Sequence, residues 1–307
     1  MPTAAANGIE IAYDTFGDTA SPPILLIVGL GRQMVFWDAA FCEQLAAKGL
    51  RVIRFDNRDT GLTTKFEAAG DPDLTQALTA AMNGEAVDAP YSLDDMADDA
   101  VGLLDALGIE NAHICGMSMG AAITQIIGYR HPDRALSLIP IMGSTGRPDL
   151  PQARPEAIEA LLRPVPRERE ACLAQAVEIW QVLSGSLRDD PERIREKAAR
   201  EYDRAFYPQG MPRQFTAILA NGNRKPRLSS VTAPTLVIHG EEDPLIPVEG
   251  GRDIAEAIPN AELLIIQGMG HSLPRAAWPQ IVDAIAGHTT KKRAPKKQAT
   301  KKQAAKN

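Results

Sequence analysis

Along most of its length the chain alternates short apolar runs with amphipathic stretches whose apolar residues recur every three or four positions. The first pattern suits β-strands and the second suits helices. IEIAYDTFG and PPILLIVGL read as strands, the second almost continuous in Ile, Leu and Val, as a strand covered on both faces should be. FWDAAFCEQLAAKG follows with helical spacing and stops at Gly49, a residue suited to a C-terminal cap. LRVIRFD is the next strand and runs into a polar loop, DNRDTGLTT. The stretch from Leu93 to Leu107 has its apolar residues at three- and four-residue spacing and ends before Gly108. NAHIC reads as a short strand, MGAAITQIIGYRHP as a helix ended by His131-Pro132, and ALSLIPIMG as another strand.

From Ser144 to Leu228 the alternation stops. PEAIEALLR, REREACLAQAVEIWQVL, PERIREKAAREYDRAF and RQFTAILANG all carry helical periodicity, separated by prolines and glycines. TLVIHG and AELLIIQG then restore the strand pattern, with GRDIAEAIP between them as a helix and AAWPQIVDAIAG as the last one. Repeated β–α alternation predicts an α/β fold, a mostly parallel central sheet with helices on both faces. On this reading residues 1–143 and 229–288 form the core, residues 144–228 a helical cap insertion, and residues 289–307 a disordered basic tail. An insertion at that point is well placed to cover the carboxyl ends of the strands, where parallel sheets bind ligands.

Candidate chemistry centres on HICGMSMGAA, His113 to Ala122. Gly116, Ser118 and Gly120 form G-x-S-x-G at a strand-to-helix junction, the nucleophile elbow. Small neighbours let strand and helix pack closely around the serine, and free N–H groups at the helix start favour negative charge there. The N–H of Met119 is then one oxyanion donor. A second is expected from the loop IVGLGRQMVFW, where Gly29 permits close approach and the N–H of Leu30 or Gly31 supplies the bond. In the same loop Phe36 and Trp37 read as core residues rather than as an acyl pocket.

A serine hydroxyl needs a base to take its proton. Of the five histidines, His113 lies inside a strand, His131 at a helix end, His239 at a strand end, and His288 beside the tail. His271 sits in a glycine-rich loop, GMGHS, after the strand AELLIIQ, and is the favoured base. TLVIHGEEDPLIP offers Glu241, Glu242 and Asp243 as the carboxylate that orients it, and Asp243, stiffened by the following proline, is favoured. Ser118, Asp243, His271 is the chain order of an α/β-hydrolase triad.

Composition changes this picture at one place. The last 17 residues, KKRAPKKQATKKQAAKN, hold eight Lys or Arg and no acid, so without them the formal charge goes from −6 to −14. An acidic body with a basic, low-complexity tail results, and the tail reads either as a solubilising extension or as a weak contact for an anionic partner. At 44% hydrophobic and 23% charged, 307 residues are ample for a large core. No apolar run reaches the roughly 18 residues of a membrane span. The first residues show neither a basic leader nor an apolar segment, and three scattered cysteines form no disulfide or zinc pattern, so a cytoplasmic protein is expected.

The run IAYDTFGD, PPILLIVGLG, FDNRDTGLT, APYSLDDMADDAVGLLDALGI, GMSMG, VIHGEEDPLIP and GMGHSLP resembles the α/β-hydrolase superfamily over about residues 8–288. Its combination of GLG, RFDNRDTGLT, APYSLDDMADDA and GMSMGA is similar to a bacterial serine esterase subgroup. That subgroup includes aclacinomycin methylesterase-like enzymes and mycobacterial esterase/lipases with lysophospholipase or thioesterase activity. The resemblance implies a helical cap, Ser118, Asp243 and His271 as the triad, Met119 and Leu30 as oxyanion donors, and no cofactor. It departs at Val28-Gly29, where His-Gly is common. Asp56, Arg58 and Asp59 are expected to hold their loop together rather than to react.

The leading expectation is a serine carboxylesterase acting on a small-molecule ester. The same triad would serve a lysophospholipase or thioesterase, a cofactor-free haloperoxidase or perhydrolase, or a proline iminopeptidase. A ligand-binding member without turnover is the alternative from another class. A serine at the elbow argues against haloalkane dehalogenase and the usual epoxide hydrolase, which need a carboxylate there.

Overall fold

Alternate residues of the apolar runs face opposite ways, and this builds two cores around one sheet. A computed structural model describes residues 1–290. Of the expected disordered tail, residues 289–307, all but the first two therefore lie outside the described residues, and Thr289 is not disordered but the last residue of a helix. In chain order the elements begin with β1 (Thr3–Ala6), β2 (Ile9–Phe16), β3 (Pro23–Ile27), α1 (Ala39–Ala47) and β4 (Arg51–Phe55). They continue with α2 (Leu74–Met82), α3 (Leu93–Ala106), β5 (Ala112–Met117), α4 (Met119–Arg130) and β6 (Ala135–Ile141). Between β6 and the next strand come α5 (Pro155–Leu162), α6 (Arg169–Leu183), α7 (Pro191–Ala205), α8 (Gly210–Asn221) and α9 (Lys225–Leu228). The chain closes with β7 (Leu236–Gly240), α10 (Val248–Ala257), β8 (Glu262–Ile266) and α11 (Trp278–Thr289).

The strands lie in the order β1-β2-β4-β3-β5-β6-β7-β8. β1 and β2 are antiparallel to their neighbours, and every pairing from β4 to β8 is parallel. Leu25 and Ile27 of β3 join the core under α3 and α4, while Ile24 and Leu26 join the core under α1 and α11. All four are fully buried, which explains why β3 shows no polar alternation. Each contributes about 1.5–3 kcal/mol by leaving water.

Local chemistry sets the helix starts. Ser92 caps α3 in a reciprocal box: its hydroxyl accepts from Asp95 N–H at 3.1 Å, and Asp95 accepts from Ser92 N–H at 2.8 Å. Asp38 caps α1 and Asp73 caps α2 through carboxylate bonds to N–H groups of the first turn. The chain passes from β3 to β4 on one side and reaches β5 on the other. The strand order therefore reverses beside β3, and the carboxyl ends of β3 and β5 flank the point where such sheets bind ligands.

Backbone strain gathers at that same edge. Asp59, Ser118 and Met142 follow β4, β5 and β6 with φ of 67°, 55° and 49°, a region that non-glycine residues seldom occupy.

Candidate active site

Ser118 lies between β5 and α4 with φ 55° and ψ −119°, the sharp turn that the flanking glycines allow. A methyl carbon on Gly116 would come within 2.2 Å of the Gly120 carbonyl oxygen, and one on Gly120 within 2.3 Å of the Ile27 carbonyl oxygen. Strand, turn and helix are that close, so neither position accepts a side chain. Ser118 N–H donates to Ile141 C=O at 2.9 Å, which holds the turn against β6. The residue stays half-buried while its neighbours Met117 and Met119 are buried, so it is the most accessible residue of the turn.

Three side chains far apart in sequence meet here. Ser118 Oγ is 2.9 Å from His271 Nε2, and His271 Nδ1 is 2.7 Å from Asp243 Oδ2. With the carboxylate as acceptor, the imidazole proton resides on Nδ1, and Nε2 offers its lone pair to the serine hydroxyl. Asp243 is fixed by its own loop: its Oδ1 accepts from the N–H groups of Leu245 and Ile246, both at 2.9 Å. His271 is held through its backbone, whose N–H donates to Leu183 C=O at 2.8 Å. A hydroxyl, an imidazole and a buried carboxylate in this series can pass a proton from the hydroxyl as it attacks an electrophile.

The other histidines are occupied elsewhere. His113 Nδ1 pairs with Ser137 Oγ at 2.8 Å, and His131 Nε2 with Asp98 at 2.7 Å. His239 lies near the carboxylate, with Nε2 3.6 Å from Asp243 Oδ2, but that nitrogen donates to Ile246 C=O at 2.8 Å. Burial pushes the His239 pKa down, which favours the neutral ring and leaves the charge of Asp243 to His271. The cysteines are unbridged, and burial raises their thiol pKa values, that of Cys42 to about 12.

Leu30 stands on the loop after β3, and Met119, next to Ser118, on the first turn of α4. Met119 opens α4, so its N–H has no intrahelical acceptor. The N–H of Gly31 is taken: Gln214 Oε1 accepts it at 2.8 Å. Of the two N–H groups expected in the loop after β3, only that of Leu30 lacks an acceptor among the described residues. A Cβ on Gly29 would sit 3.1 Å from Ser118 Cβ, so this loop does pass directly against the serine. Trp37 is fully buried against Phe41, whereas Phe36 is half-buried against Trp180 of α6.

DNRDTGLT has a role that sequence reading reached only in part. Asp56 accepts from Met34 N–H at 2.7 Å, from Leu62 N–H at 2.9 Å and from Arg204 of α7 at 2.8 Å. Arg58 pairs with Asp99 of α3 at 2.6 Å. Asp59 accepts from Tyr91 OH at 2.8 Å and from Arg213 of α8 at 2.9 and 3.0 Å. These bonds hold the loop together, and the three from Arg204 and Arg213 also fasten helices of the inserted segment to the sheet. Glu242, next to Asp243, accepts from Ser186 N–H at 2.6 Å and Ser186 Oγ at 3.0 Å, and these bonds hold its carboxyl below the usual range. Sequence reading weighed Glu242 only as an alternative to Asp243 and missed Gln214. The signal for Gln214 was a polar residue on the apolar stripe between Met211 and Ile218.

Fold and site together define a hydrolase architecture. The profile of the alpha/beta hydrolase fold matches residues 22–274, and the chain belongs to that family. It is 30% identical to rhodomycin D methylesterase DauP of Streptomyces sp. (strain C5), across 94% of this chain and 98% of that protein. It is 31% identical to rhodomycin D methylesterase DnrP of Streptomyces peucetius, across the same shares. The enol-lactonase from Burkholderia xenovorans LB400 has the same fold, with a TM-score of 0.67 at 24% identity over 94% of this chain and 100% of that one.

Proposed function

We propose that the protein is a cofactor-independent serine carboxylesterase, with Ser118 as nucleophile, His271 as general base and acid, and Asp243 as the group that orients His271. The observation that carries this reading is the continuous series Ser118 Oγ, His271 Nε2, His271 Nδ1, Asp243 Oδ2, with gaps of 2.9 and 2.7 Å at a strained elbow.

In this mechanism His271 Nε2 accepts the hydroxyl proton as Ser118 Oγ attacks the ester carbonyl carbon. The carbonyl oxygen becomes an oxyanion facing the N–H groups of Leu30 and Met119. His271 returns the proton to the departing alcohol, and the acyl group remains on Ser118. Water, deprotonated by the same imidazole, then attacks the acyl-enzyme and releases the acid. Donors fixed in place before the charge develops are worth about 10²–10³-fold each in rate. The segment 144–228 serves as a cap over the site. A carboxylic ester of a small molecule is the substrate class, and the two methylesterase relatives favour a methyl ester of a larger acid.

Hydrolysis of p-nitrophenyl esters of graded acyl length, beside a panel of methyl esters, tests the reading. Wild type is expected to turn over a subset of them and Ser118→Ala none. Equal inactivity of both proteins on every ester and thioester would overturn it.

A further inference from the structure

The loop that follows β3 is bonded mostly to the inserted helices. Gln33 Nε2 donates to the carbonyls of Glu201 and Ala205 in α7 at 2.6 and 2.7 Å, and Arg32 pairs with Glu201. Gly31 is bound from α8: the fully buried Gln214 accepts its N–H at 2.8 Å and donates Nε2–H to Arg58 C=O at 2.7 Å. One side-chain amide thus bridges the backbones of the two loops that leave β3 and β4. A buried amide is costly unless both its ends are bonded, and here each end has a single backbone partner. Met211, one turn earlier on α8, closes the remaining space, since a Cβ on Gly31 would lie 3.1 Å from its Cγ.

The consequence lies one peptide away. Gly31 turns the chain with φ 65°, and fixing its N–H fixes the Leu30–Gly31 peptide plane. The Leu30 N–H belongs to the preceding peptide, whose Gly29 C=O accepts from Arg32 N–H at 3.3 Å across the same turn. Without that anchor the Leu30–Gly31 peptide can rotate, the turn closed from Arg32 N–H to Gly29 C=O loosens, and with it the Gly29–Leu30 peptide and its N–H lose their fixed direction. We propose that Gln214 is a positioning residue: through Gly31 it sets the direction of the Leu30 N–H, so the oxyanion donor is aligned only when α8 is seated on the core. The assignment rests on the serine esterase reading of Ser118.

Steady-state kinetics with p-nitrophenyl butyrate on wild type, Ser118→Ala, Gln214→Leu and Gln214→Glu test it, with active sites titrated by a fluorophosphonate. A trifluoromethyl ketone, which Ser118 Oγ adds to as a hemiketal oxyanion, supplies a second readout. Gln214→Leu is expected to lower kcat per titrated site by about 10- to 100-fold at a nearly unchanged KM, and to weaken the ketone by the same factor. Gln214→Glu keeps an acceptor for Gly31 and is expected to recover most of that loss. A purely structural role would instead reduce the number of titrated sites and leave kcat per site intact, and that result overturns the proposal. So does a raised KM with unchanged kcat. If Gln214→Leu does not fold, Met211→Ala is expected to lower kcat several-fold at constant KM, and an unchanged kcat overturns the proposal. Full activity in Ser118→Ala refutes the esterase reading itself, whatever Gln214 does.

Discussion

At the scale of single residues, Ser118, the proposed nucleophile, sits in a strained backbone conformation. Its φ of 55° suits glycine better than any residue with a side chain. Ser118→Gly is therefore expected to be more stable than Ser118→Ala by about 1 kcal/mol, with neither protein hydrolysing esters; urea denaturation of the two variants measures the gap. Asp243→Asn leaves an acceptor for Leu245 and Ile246 but turns an amide donor toward His271 Nδ1. The ring then favours the wrong tautomer, and kcat is expected to fall by roughly 10³–10⁴-fold while the melting temperature barely moves. His113 supplies a pH dependence separate from catalysis. Burial, with a smaller effect from His288, lowers its pKa from 6.5 to about 4. The unfolded chain binds the proton first, so this contribution is complete above pH 6.5 and is lost as the pH falls toward 4. The loss is on the order of 3 kcal/mol. His113→Asn is expected to flatten the stability profile between pH 7 and 4.5, as followed by chemical denaturation, and an unchanged slope would refute the assignment.

At the scale of elements, the inserted helices are tied to the sheet by charge as well as by apolar contact. Arg213 and Asp59 are both almost fully buried, with side-chain exposures of 1% and 0%. Removing one partner leaves the other charge buried and unpaired, so Arg213→Leu is expected to cost about 3–5 kcal/mol in unfolding free energy. The double variant with Asp59→Asn should regain part of it, and additive losses would show that the two are not coupled. This is also the scale at which the sequence was least legible. The runs ILLIV, VIRF, HIC and LVIHG announced their strands because burial on both faces leaves little room for polar residues. GMSMG announced the turn because only small residues fit where strand and helix touch. β1 is TAAA, with no pattern to read, and α2 went unassigned because its LTQALTAAM buries only Ala77. Asp56, Asp59 and Gln214 are joined to partners about 150 residues away, and periodicity carries no information over that distance. Ser118, Asp243 and His271 were legible because each sits at the carboxyl end of a recognisable strand.

At the scale of the whole molecule, the parallel part of one sheet delivers every candidate group to one edge. β3 brings Leu30, β5 brings Ser118 and Met119, β7 brings Asp243 and β8 brings His271. Among the described residues no helix is long and apolar enough to cross a membrane. The acidic body and the eight basic residues at 291–307 divide the charge of the chain between two parts. Deleting those 17 residues is expected to leave kcat unchanged and to abolish salt-sensitive retention on heparin, and retention that survives the deletion would place the anion contact elsewhere. The central claim is that a single serine carries the acyl group during turnover. Its most direct test is labelling with one equivalent of a fluorophosphonate, followed by peptide mass mapping and an esterase assay on the same sample. The account predicts one adduct, on Ser118, with activity lost in proportion to labelling. An adduct on another residue, or full esterase activity with Ser118 modified, would contradict it.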